Sequence, residues 1–161
     1  MKIGQADERA LLEGMVDIQR DEITGILEDV DEEEARRRLV PSLTTPLALV
    51  KHATFVEKVW FHARVAGVPR KEIGLPDTVE ESFLLYPEDT VDSVRAAHRA
   101  ACERSREVAA GHELDEEFDW HGNRVSLRFV YVHMIQELAR HAGHGDILVE
   151  QIQAARAVKL P

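Results

Sequence analysis

The chain has 161 residues, a formal net charge of −10 at pH 7 and a single cysteine, Cys102. That length buries a core without disulfide staples, a lone thiol closes no intramolecular disulfide, and an acidic chain with no basic stripe is a poor match for a nucleic-acid backbone. No apolar run reaches membrane-spanning length, and the N-terminal stretch lacks the apolar core of a signal peptide, so the expectation is one cytoplasmic domain over residues 1–161 with neither nucleic acid nor membrane as partner.

Residues 6–30 carry Leu12, Met15, Ile23, Ile26, Leu27 and Val30 at helical spacing, which predicts a first amphipathic helix. A short acidic-to-basic turn of helix is expected over 31–38, before the breaker Pro41. The second long helix begins with Thr45 as N-cap and Pro46 in the first helical position, and Gly67 suits the position just past its end. Its inner stripe is Leu49, His52, Val56, Val59 and Ala63, which buries His52 and points His62 elsewhere.

Residues 68–89, with Pro69, Gly74, Pro76 and Pro87, form a long irregular connection. A crossover of that length can span a helix, so the second and third helices can run parallel, giving an all-α, four-helix bundle in up-down-down-up order. The apolar run Phe83, Leu84, Leu85 and Tyr86 in this connection is either a lid over a cavity or packing against the bundle side. A third helix is expected over about 90–110, with His98 turned to the interior and Cys102 as a small buried apolar residue. A turn or small hairpin around His121, Gly122 and Asn123 then delivers Ser126 as N-cap of a last helix over 127–153.

That last helix holds the pattern richest in chemistry. His133, Glu137, His141 and His144 recur at spacings of four, four and three, so they share one face beside the apolar stripe. Several ionisable groups on one buried stripe call for compensation, and a divalent cation shared with His52 from across the bundle supplies it. Imidazole and carboxylate suit zinc, nickel and ferrous iron. His133 lies two turns, roughly 12 Å, before His141 and so does not share an ion with it readily, whereas Glu137 and His141 are one turn apart. His144 remains a geometric alternative as a fourth ligand, and both His133 and His144 are candidates for moving protons. No HExxH, no paired Glu-x-x-His and no C-x-x-C is present, which sets aside the helix-borne metalloprotease, the di-iron bundle and the structural zinc site.

On the segments TTPLALVKH and SLRFVYVHMIQELARHAGHGDIL, and the spacing between them, the chain resembles the DinB-like superfamily of four-helix-bundle metalloproteins, in the branch that includes the mycothiol-dependent maleylpyruvate isomerase. The resemblance implies metal ligands at His52, Glu137 and His141, with zinc foremost and nickel as the alternative, and often a homodimer. It also implies a low-molecular-weight thiol such as mycothiol as cosubstrate, added to a small electrophile. The chain ends at Leu160-Pro161, short of the isomerase's extra C-terminal domain, so a stand-alone metal-dependent thiol S-transferase is the closer analogy. A metal-dependent hydrolase and a non-enzymatic metal- and small-ligand-binding stress protein stay open as other readings of the same residues.

Overall fold

The computed structural model describes residues 3–158; residues 1–2 and 159–161, included in the expected domain, lie outside the described residues. The protein is mostly helical, with α1 Glu8–Gly25, α2 Glu32–Ala35, α3 Pro46–Glu57, α4 Val91–Ala110 and α5 Leu127–Val158, and a hairpin of β1 Glu117–Trp120 with β2 Asn123–Ser126. None of its described helices is long and apolar enough to cross a membrane.

α1 is shorter than its apolar periodicity predicts. Asp7 caps it by accepting from the Ala10 N–H at 2.9 Å, but regular helix stops at Gly25, and the Leu27 and Glu28 amides bond back three residues to Thr24 and Gly25. Ile26, Leu27 and Val30 are nonetheless buried. The apolar pattern continues past the helix because Ile26 is drawn onto Gly145 of α5, where even a single Cβ would lie 2.7 Å from Ile26 Cδ1. α2 is one turn, closed by a capping box between Asp31 and Glu34. Glu34 in turn accepts from Arg156 Nε at 2.7 Å, and Arg156 also bonds the Asp29 carbonyl. That clasp holds the end of α5 in place and explains why the last helix runs past 153.

α3 starts as its cap residues predict, with Thr45 Oγ1 accepting from the Ala48 N–H at 3.1 Å and Pro46 following. All of its residues except Lys51 are buried, so it is the central rod of the protein. It does not continue as regular α-helix to Gly67. From Lys58 to Val65 the backbone widens into a π-helix, and the Ala66 amide still reaches back five residues to Phe61 at 2.9 Å. Glu57, fully buried at the junction, is clamped by Arg20 of α1, Nε to Oε1 and Nη2 to Oε2, both at 2.8 Å. A buried carboxylate there is tolerable because the bidentate guanidinium satisfies both oxygens.

α4 follows the expected stripe. Val94, His98, Ala101, Cys102, Ser105 and Val108 are all buried, and Thr90 and Ser93 form its capping box. Burial pushes the Cys102 thiol up to about 12, so it stays an inert thiol, and pushes His98 down to about 4. The expected hairpin is present, with Trp120 opposite Asn123. Its two turn residues, His121 and Gly122, have φ of 52° and 80°, the mirror-image turn that matches strand twist. Ser126 then accepts from the Phe129 amide at 3.2 Å and starts α5. The principal helix contacts are α1 with α5, α3 with α4 and α3 with α5.

Candidate metal centre

The pairing of α3 with α5 brings the early histidine to the late cluster. His52 sits one and a half turns into α3, almost wholly buried, and faces Glu137 and His141, each half-buried on α5. Glu137 Oε1 lies 3.5 Å from His52 Nε2 and 3.2 Å from His141 Nε2. One donor atom from each of the three residues falls within 4.8 Å of the others, a cluster that could hold a divalent cation. Among the described residues no other group of three or more such side chains has this property.

The wiring behind His52 decides which of its nitrogens faces the site. Ser82, buried in the short 3₁₀ turn Glu80–Phe83, donates its hydroxyl hydrogen to the Val79 carbonyl. Its oxygen is therefore left to accept, and His52 Nδ1 lies 2.7 Å from it. Those two bonds assign the ring proton to Nδ1 and leave Nε2 as a lone pair. Burial pushes the His52 imidazole below its usual value, which keeps it neutral. Hydrogen bonding by His141 holds the Glu137 carboxyl well below the usual carboxylate range. A bare imidazole lone pair thus faces an ionised carboxylate oxygen at 3.5 Å, with no proton between them. A divalent cation turns that repulsion into two bonds. A second unmet group lies beside it, since His141 Nδ1 is buried without a hydrogen-bond partner. The residues present therefore fit a cation.

Phe83 closes one wall by stacking on the His52 ring, centroids 4.1 Å apart, and stands 6.1 Å from that of His141. Leu84 and Tyr86 are exposed and Leu85 packs against the apolar core, so the FLLY run splits between bundle packing and the Phe83 contact with the triad. His144 is exposed, with its ring 5.6 Å from that of His141, and lies outside the three-residue cluster. His133 lies one turn before Glu137, packed on Trp60 at 4.3 Å between centroids. His62 turns away to α4, where Nε2 is 3.1 Å from the Ala101 carbonyl.

A cavity of about 820 Å³ opens beside the triad, lined by His52 and Glu137 and by Val56, Trp60, Trp120 and His133 among others. That size suits a small organic substrate. A family model for mycothiol S-transferases matches residues 11–154. The chain belongs to the mycothiol S-transferase family. No curated protein gives a significant match to it. In this member of the mycothiol S-transferase family, a three-donor cluster on two helices lies beside an aromatic-walled cavity. Sequence reasoning did not find Ser82, because nothing in an irregular segment marks one serine from another. Nor did it find the role of Trp60 or Arg64, whose directions are set by the π-helix.

Proposed function

We propose that the protein is a metal-dependent thiol S-transferase that joins a low-molecular-weight thiol, of the mycothiol kind, to a small electrophile. It would act as a single domain folded as an up-down-down-up four-helix bundle, a reading supported by the contacts of α3 with both α4 and α5. The observation that carries the function is the His52 lone pair facing the Glu137 carboxylate across 3.5 Å beside an open cavity, in a chain of this family. His52, Glu137 and His141 would hold a divalent cation, zinc first and nickel as the alternative, and leave room for an exogenous ligand. A cation bound there supplies Lewis acidity, lowering the pKa of a thiol so that it is present as thiolate at neutral pH.

The chain's own residues then set geometry and proton traffic. Ser82 holds the His52 ring, and Phe83 covers it. Trp60, Trp120 and Val56 exclude water and offer flat apolar surface to the electrophile. His133, which lines the same cavity and packs on Trp60, would take the thiol proton. The sulfur–carbon bond forms as the leaving group departs with its electron pair, so no oxidant or reductant is consumed. The test is conjugation of mycothiol to chlorodinitrobenzene by protein purified without nickel resin, with and without chelator, and with metal measured by elemental analysis. Chelator-sensitive conjugation that is lost in a folded His141→Ala variant supports the reading. Turnover of an ester with no thiol added would instead favour the hydrolase. Metal below a tenth of an equivalent, with none taken up on dialysis, would overturn both.

A further inference from the structure

Arg64 lies in the π-helical stretch on the wall of the cavity that His52 and Glu137 line. Its guanidinium lies over the Trp60 ring, 4.0 Å from the centroid, and its Nε donates to the Asp119 carbonyl of the hairpin at 3.1 Å. These two contacts fix the plane of the group. They leave Nη1 shielded from water and without any hydrogen-bond partner. The nearby Asp119 offers its main-chain carbonyl, and among the described residues no carboxylate pairs with Arg64. A charged N–H withdrawn from water with no acceptor is costly, and such a group in a native structure calls for a physical reason, a bound anion being one. Burial, with Arg70 nearby, pushes the Arg64 guanidinium below its ordinary value against the opposing charge of Asp119.

The surroundings say what kind of ligand brings that charge. The cavity wall is aromatic: Trp60 and Trp120 stand 5.7 Å apart with their rings inclined at 52°, and Phe129 packs on Trp120 at 5.6 Å. Arg70, over the Phe55 ring at 5.7 Å, is a second cation on the same cavity, while Asp77 and Asp119 are acidic groups at its edge. A dispersed anion would meet those carboxylates. A planar molecule laid against one tryptophan with one carboxylate at its end meets the half-buried Arg64 guanidinium on the cavity wall instead, as a rigid guanidinium fork favours.

We infer that Arg64 is the anion-recognising residue of an electrophile subsite, and that the preferred substrate class is a planar apolar electrophile carrying a carboxylate. This rests on the S-transferase reading for the word electrophile, but the binding itself does not, and the experiment separates the two. The chain has two tryptophans, both on this cavity, so intrinsic fluorescence reports occupancy without thiol or turnover. Dinitrobenzoate and its uncharged analogue dinitrobenzamide are titrated against the metal-loaded and the chelated protein, with calorimetry as a second readout. Dinitrobenzoate is expected to bind about tenfold or more tighter than dinitrobenzamide in both forms. Arg64→Gln should reduce that preference to about twofold or less without changing dinitrobenzamide affinity, and Arg64→Lys should retain part of it.

Equal binding of the two probes overturns the inference. So does a preference that survives Arg64→Gln, or one that disappears on chelation, which would assign the carboxylate to the metal. A parallel loss of both probes in Arg64→Gln and Arg64→Lys would make Arg64 a wall residue only. If the carboxylate preference holds but chlorodinitrobenzene and mycothiol are never joined, the transferase reading fails and the subsite stands. If conjugation proceeds with no carboxylate preference, the reverse is true.

Discussion

Removing one buried hydroxyl should loosen the metal. In Ser82→Ala the His52 Nδ1–H loses the only acceptor the structure gives it, 2.7 Å away, and the bond chain from Val79 that fixes the tautomer is cut. The ring can then place its proton on Nε2, the nitrogen that must be bare to ligate. Residues that orient metal-bound histidines typically contribute ten- to a hundredfold in affinity, about 1.4–2.7 kcal/mol here. The fold should lose less, on the order of 1 kcal/mol for one net hydrogen bond. Competition against a chromophoric chelator gives the zinc dissociation constant, and urea unfolding of the chelated protein gives the stability. The variant is expected to bind zinc ten- to a hundredfold more weakly while its unfolding midpoint falls by only about 0.5 M urea. Wild-type zinc affinity in a folded Ser82→Ala protein would refute the tautomer argument, and with it the reason given for a cation between His52 and Glu137.

The geometry sets three further outcomes. Glu137→Ala and His141→Ala should abolish metal uptake measured by elemental analysis, whereas His144→Ala should retain it because His144 is exposed and outside the cluster; an equal loss in His144→Ala would mean a closed, four-ligand sphere. His98, held neutral in the fold at about 4 against an ordinary 6.5, takes up its proton first in the unfolded chain, so its part of the stability is present above pH 6.5 and is lost as pH falls towards 4. That gap corresponds to about 3 kcal/mol, and a folded His98→Gln variant should show a correspondingly flatter fall in unfolding free energy between pH 6.5 and 4 than the parent. Gly145→Ala should lower stability by about 1–3 kcal/mol, because its new methyl would lie 2.7 Å and 2.8 Å from Ile26 Cδ1 and Cγ2; calorimetric melting checks this, and Ile26→Ala in the same chain should recover part of the loss.

The features legible in the sequence were those that local chemistry decides. Thr45-Pro46 and Ser126 each announce a helix start through their own side chains, and both helices begin there. Given those starts, the helical repeat alone puts His52 on a buried face and aligns Glu137 with His141. The features that stayed hidden depended on distant packing. α1 stops at Gly25 although its apolar residues continue, since the pull on Ile26 comes from a glycine in α5. Nothing in Lys58–Val65 breaks a helix, yet the hydrogen-bond ladder slips there next to the buried Arg20–Glu57 pair. Periodicity assumes a constant pitch, which still put Val59 and Ala63 on the His52 side and His62 away from it, but it gave no sign that Trp60 and Arg64 also turn to the cavity.

That slip divides one continuous rod into two separately phased parts. His52 stands before it, while Trp60 and Arg64, which line the cavity, stand within it. Deleting a single residue between 58 and 65 would tighten this wide stretch towards ordinary pitch and re-aim the side chains within it, with His52 upstream left in place. Relatives could therefore change which molecules they accept by the gain or loss of one codon in this stretch, while His52, Glu137 and His141 stayed constant. Divergence in substrate choice need not pass through those three residues at all.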